Sequence, residues 1–257
     1  MMLFPDNWFS EICPLIDDRG FTIVGSISQA HRIPKSQDPN KLILYNWDVY
    51  PWMNYKDGPW QRWGELLKSC RDIWHTSEAC ARRTEEMYGI KKGQVIKTFV
   101  PVDQFAGPVG NNNYVLMPMR HYVQDKCFGW AQKACDELEI DLIHPNHNID
   151  KKAYEKIMRY ASVILSHYYE ASTGGLGIIE GMSLGKPVLI NAMSGYNGGK
   201  EYAGDYGWYF KTYEEMKKLL VVLMAAPHPI HGQQEFTKNY DIKIMAEKIN
   251  EALHSYK

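Results

Sequence analysis

The segment from Ser166 to Ile190, SHYYEASTGGLGIIEGMSLGKPVLI, constrains the fold of this chain more than any other. The apolar run Ser162 to Leu165, just before it, reads as a buried strand. A glycine-bearing turn with Thr173, Gly174 and Gly175 follows, then a short helix carrying Glu180, then a second buried strand through Pro187-Val188 to Ile190. Such a turn presents backbone N–H groups at a helix N-terminus, where aligned peptide dipoles stabilise phosphate charge. A carboxylate about one turn further on can accept hydrogen bonds from ribose hydroxyls. A phosphate cradle beside a ribose acceptor suits a nucleotide, or a nucleotide joined to something else.

The rest of the chain alternates short apolar runs with helical patterns, as α/β units do. Strands are predicted at Phe21 to Gly25, Lys41 to Tyr45, Asp72 to His75 and Val95 to Val100. Helices are predicted at Trp60 to Cys70 and at Glu78 to Tyr88, the second stopped by Gly89 in the position of a C-cap. Ala106 to Asn113 (AGPVGNNN) has the Gly, Pro and Asn content of a linker. Beyond it come strand Tyr114 to Met117, a helix from about Asp125 to Leu138, strand Asp141 to Ile143 and helix Lys151 to Tyr160. Closing helices are predicted at Lys211 to Ala225 and Ile242 to Tyr256. At 257 residues there is room for one large domain or two small ones, and the linker favours two. They are expected over 1–107 and 108–257, with the last helix packing back on the first.

The segment Ser162 to Val188 resembles a signature of the retaining glycosyltransferases of the GT-B fold, family 4. That signature has an acid, a glycine-containing loop and a second acid eight positions on, followed by a small-residue helix and a Gly-x-Pro-Val strand. Glu180, Gly181-Met-Ser-Leu-Gly185 and Lys186-Pro187-Val188 match its second half. In its first half, ungapped alignment puts Ser172 where the family has its first glutamate, and Glu170 lies two residues earlier. The first domain also carries family-like pieces: Thr76-Ser77-Glu78, Tyr88-Gly89-Ile90 and Val102-Asp103-Gln104-Phe105. Nothing but a Pro- and Trp-containing lead-in is read before Phe21, so that domain is expected to be abbreviated by one or two βα units.

The resemblance implies a GT-B-like α/β architecture, with two Rossmann-like domains facing across a cleft. It implies a nucleoside-diphosphate sugar as donor, bound by the second domain, and a sugar transferred with retention to an acceptor hydroxyl without a metal. Arg120 and Lys126 fall where family members place an arginine and a lysine on the donor diphosphate; two solvated loop cations are the plain alternative. Glu180 takes the ribose, or is simply an acid suited to a helix N-terminus. Ser172, Thr173, Gly174 and Gly175 supply contacts to phosphate or sugar, or form an ordinary turn. Glu170 is a donor-sugar contact or an exposed loop acid. Where the family has a histidine near the transferred sugar, this chain has Trp47 and then Asp48. Asp48 and His31 are therefore the candidate acceptor or sugar contacts, against a turn-forming Asp and a surface His.

Composition narrows the remaining classes. The net charge of −1 gives no general attraction to nucleic acid or anionic membrane. Five cysteines without a Cys-x-x-Cys pair suit a reducing compartment, and no apolar run approaches the roughly 20 residues needed to span a bilayer, so a cytoplasmic protein is expected. His144 and His147 have no third ligand at matching spacing, and no metal or cofactor is expected. No nucleophile elbow or Walker lysine is present. Aromatic residues clustered in Tyr45 to Trp63 suit a glycan, a small molecule or a modified nucleic acid as acceptor. Two rivals stand beside the transferase: a non-catalytic nucleotide-sugar-binding protein with a degenerate site, and a GT-B-like epimerase. A homodimer completing the first domain is a further hypothesis.

Overall fold

The computed structural model describes residues 2–3, 11–25, 27–46, 58–90, 93–118, 126–145, 149–166, 175–193, 198–226 and 229–256. Among these, the chain divides into two compact α/β units. The first runs to Pro101 and resumes at Tyr240; the second runs from Val102 to Asn239.

The first unit is a parallel sheet of β1 (Met2–Leu3), β2 (Thr22–Val24), β3 (Leu42–Asn46), β4 (Asp72–His75) and β5 (Gln94–Val95), laid down in chain order. Every residue of β2 and β3 is buried, as expected of parallel strands covered on both faces. Helix α1 (Gly58–Ser69) buries Trp63, Leu66 and Leu67 against Val24, Leu42, Leu44 and Ile73. Helix α2 (Glu78–Tyr88) starts where Ser77 Oγ accepts from the Cys80 amide at 3.0 Å. It stops at Gly89, whose φ of +67° is the left-handed cap expected there.

Two features of this unit differ from the sequence reading. The lead-in holds a strand: Met2 pairs with Ile23 and Leu3 with Val24. Two residues are too short to show any apolar period. The strand expected over Val95 to Val100 ends at Val95 instead. Val100 pairs with the returning chain, receiving a bond from the Ile242 amide and donating to Tyr240 O, both at 3.1 Å. Apolar content alone could not show which neighbour this segment would take.

The second unit contains β6 (Tyr114–Leu116), α3 (Lys126–Glu137), β7 (Asp141–Ile143), α4 (Lys151–Tyr160), β8 (Val163–Ser166), α5 (Gly175–Ser183) and β9 (Val188–Asn191). After these come α6 (Gly199–Ala203), β10 (Trp208–Phe210), α7 (Tyr213–Met224) and α8 (Gln233–Thr237). Its sheet is parallel with the order β10-β9-β8-β6-β7. Val115, Val163, Leu165 and Leu189 pack on one face under Ala131, Ala134, Met216 and Leu220. Asp150 caps α4 at the Lys152 and Ala153 amides, and a Thr212–Glu215 capping box opens α7. The short elements α6, β10 and α8 give no periodic signal in the sequence.

The Gly- and Pro-rich stretch 106–113 is fastened to this unit. Arg159 Nη2 donates to Gln104 O and Ala106 O at 2.8 and 3.0 Å, the Asn112 amide to Tyr160 O at 3.0 Å, and Lys186 Nζ to Gly110 O. Helix α9 (Ile242–Ser255), capped by Asp241, belongs to the first unit. Asn250 there accepts from the Asp17 amide at 2.9 Å and donates to Leu15 O at 3.0 Å. Among the described residues no helix is long and apolar enough to cross a membrane.

Candidate functional site

The order of the second sheet locates a site before any side chain is considered. From β6 the chain goes to β7 on one side and then to β8 on the other. The carboxyl ends of β6 and β8 therefore flank a topological switch point, the place where open α/β sheets bind ligands. The described strands of the first unit follow one another in order, with no reversal among them.

Helix α5 begins at this point. A Cβ on Gly177 would lie 2.8 Å from Pro118 Cγ, just beyond the carboxyl end of β6. A Cβ on Gly181 would lie 2.9 Å from Ile164 Cγ1 of β8 and 3.2 Å from Val188 Cγ2 of β9. These two glycines let the helix settle on the sheet, with its first turn against the switch point. The first amides of a helix have no partner within it, and they lie at the positive end of its dipole.

Glu180 lies in the second turn of α5 and is 3% exposed. Tyr154, in the first turn of α4, donates from its hydroxyl to Glu180 Oε2 at 2.9 Å. A buried carboxylate needs such a donor. One further group has none: Ser166, the last residue of β8, is 2% exposed and its Oγ lacks a hydrogen-bond partner.

Of the residues singled out from the sequence, the structure puts Gly175 at the start of α5, Glu180 within it and Lys126 at the start of α3. His31 lies in a 3-10 helix, Ile27–Arg32, of the first unit. Asp48, Arg120, Glu170, Ser172, Thr173 and Gly174 lie outside the described residues. In the chain, Arg120 follows β6 and residues 170 to 174 follow β8, the two strands of the switch point.

Sequence reasoning missed Tyr154, Ser166 and Gly177. Ser166 left a trace, as a polar residue closing an apolar run. Gly177 left another, four residues before Gly181 on the same helical face. Tyr154 left none, because its partner is 26 residues away.

Lys186 sits at the opposite end of α5. It is fully buried, and burial pushes its amine down to about 8. An open groove lined by Asp103, Ser183, Gln234 and Lys238 also lies towards that end, away from the first turn. Among the described residues, no group of three or more His, Cys, Asp or Glu could hold a metal ion.

No family model and no curated protein sequence matches the chain. Solved structures do. Sucrose-phosphate synthase from Thermosynechococcus elongatus superposes with a TM-score of 0.69 at 10% identity, over 91% of this chain and 73% of that one. A glycosyltransferase from Rickettsia africae gives 0.65 at 12%, over 100% of this chain and 97% of that one. Anabaena HepE, in complex with UDP and glucose, gives 0.67 at 12%, over 98% and 84%. With two α/β units, each built on a parallel sheet, the chain has the GT-B fold of the group 1 glycosyltransferases.

Proposed function

We propose that the chain is a glycosyltransferase that moves a sugar from a nucleoside-diphosphate sugar to an acceptor hydroxyl with retention at the anomeric carbon. The observation that carries this reading is the convergence at the β6–β8 switch point of the first turn of α5 and the buried carboxylate of Glu180. One offers N–H groups to phosphate and the other accepts from ribose, so a nucleoside diphosphate satisfies both. Uridine is the base to test first, because HepE is solved with UDP.

In this reading the donor's bond from sugar to phosphate breaks as the acceptor oxygen attacks from the same face. The acceptor proton passes to the departing phosphate oxygen. Arg120 and Lys126 neutralise the charge that develops on the diphosphate, in place of a metal. Asp48 and His31 are assigned to the acceptor or the transferred sugar, and Glu170, Ser172, Thr173 and Gly174 to the donor. Five cysteines without a Cys-x-x-Cys pair are in keeping with a cytoplasmic setting.

The test is thermal stability of the wild type and Glu180→Ala against nucleoside diphosphates, followed by assay of UDP-sugar turnover. A ligand at 100 times its dissociation constant stabilises by about 2.7 kcal/mol. Stabilisation of the wild type by one diphosphate, weakened in the variant and accompanied by donor turnover, is the expected result. Binding without hydrolysis or transfer would leave a nucleotide-sugar-binding protein. No binding to any diphosphate would sink the reading.

A further inference from the structure

We propose that the hydroxyl of Ser166 is a direct ligand of the donor's diphosphate. The inference rests on the nucleoside-diphosphate-sugar reading and adds a residue to it.

The face on which Ser166 sits follows from the alternation of β8. Val163 and Leu165 point into the cluster under α3 and α7. Ile164 points the other way, against α5 at Gly181. Side chains two apart share a face, so Ser166 is also on the α5 side.

Its height along α5 follows from the two repeats. Two residues of strand advance about 6.6 Å from Ile164 towards the carboxyl edge. Four residues of helix retreat about 6 Å from Gly181 to Gly177. Ser166 therefore stands level with the first turn of α5, where Gly177 meets Pro118 at the end of β6.

Buried hydroxyls are normally paired, and this one is not. Its setting says what would pair with it. The nearby dipole end of α5 favours negative charge, and a hydroxyl can donate to an anion. Glu180 lies further along the helix and, as a carboxylate, accepts. The two side chains thus divide the ligand: Ser166 with the first-turn amides on phosphate, Glu180 on ribose. A serine left unpaired until ligand arrives costs the free protein stability, the kind of sacrifice that binding sites make.

The experiment compares wild type, Ser166→Ala and Ser166→Thr for binding of UDP and of uridine, and for unfolding without ligand. Ser166→Ala should raise the Kd for UDP about tenfold and leave that for uridine unchanged. Free Ser166→Ala should be at least as stable as wild type, since the hydroxyl removed has no partner to lose. Ser166→Thr, which keeps a hydroxyl, should retain most of the UDP affinity. Undiminished UDP binding by Ser166→Ala, with Glu180→Ala impaired, would overturn the role of Ser166 alone. Equal losses for UDP and uridine with lowered stability would assign Ser166 to packing and also overturn it. Failure of folded wild type to bind any nucleoside diphosphate would remove the parent reading and this proposal together.

Discussion

Tyr154 and Glu180, on neighbouring helices of the second unit, are joined by a hydrogen bond of 2.9 Å from the phenol to Oε2. The phenol donates, so it holds the carboxyl group in one orientation. The carboxyl oxygens are acceptors that ribose hydroxyls can donate to. Tyr154 is thus a positioning residue in the proposed site.

Tyr154→Phe removes this bond with little change in volume. The loss of order 1 kcal/mol expected for one hydrogen bond corresponds to several-fold weaker UDP binding. Titration with 2′,3′-dideoxyuridine diphosphate provides the control. If Tyr154 acts through ribose, the dideoxy ligand binds wild type and variant alike; equal losses for both ligands would refute that route.

Gly185 turns the chain from α5 into β9 with φ of +67°, and its carbonyl accepts from the Ile230 amide at 2.7 Å. A Cβ there would stand 2.3 Å from Pro229 Cβ and 3.2 Å from the Ile230 amide nitrogen. Gly185→Ala should therefore lower stability by about 2 kcal/mol or more, from left-handed backbone cost plus a clash with a rigid ring. Urea unfolding reads the change directly; a midpoint equal to wild type would contradict the close approach.

Lys186 carries a pH dependence whose sign is fixed by burial. Its folded value of about 8 lies below the ordinary 10.5, so between these the unfolded chain holds more protons. Its contribution is least favourable below pH 8 and improves as pH rises towards 10.5. Lys186→Met keeps the stem and removes the charge. The stability of wild type minus that of the variant should rise between about pH 7 and 9.5. A difference that stays flat across this range would rule out a titrating buried amine.

Tyr256 fastens the end of α9 to β4. Trp74 Nε1 donates to its hydroxyl at 2.9 Å, that hydroxyl donates to Asp72 Oδ2, and Arg71 lies 5.1 Å from the ring centroid. Burial and Asp72 together push the phenol above its ordinary value. Tyr256→Phe leaves Trp74 without this acceptor and Asp72 without this donor, and should cost about 1–2 kcal/mol. The same raised phenol makes its stabilisation complete below pH 10 and lost at higher pH, when the unfolded chain ionises first. Unfolding curves at pH 7 and 10.5 check both statements.

Much of the site's frame is local and was legible in residue order. Ser77 and Gly89 bracket α2 because caps act within a few residues of the helix they end. The glycines and Glu180 of α5 carry a recognisable spacing for the same reason, as does the buried strand that follows. The resemblance to GT-B transferases was readable from that segment, and the two parallel sheets agree with it.

What the amino-acid sequence determined by itself was therefore the kind and order of the elements, since periodicity, caps and turn residues act over a few positions. Tertiary structure alone decided which edge each strand joined, and so put the reversal between β6 and β8. It sent Val100 to Asp241 and tied the stretch 106–113 to Arg159 and Lys186. It brought Tyr154 to Glu180 and left the Ser166 hydroxyl unpaired at the end of β8. Each of these depends on pairings distant in sequence, and those form only when the burial of whole faces selects one arrangement.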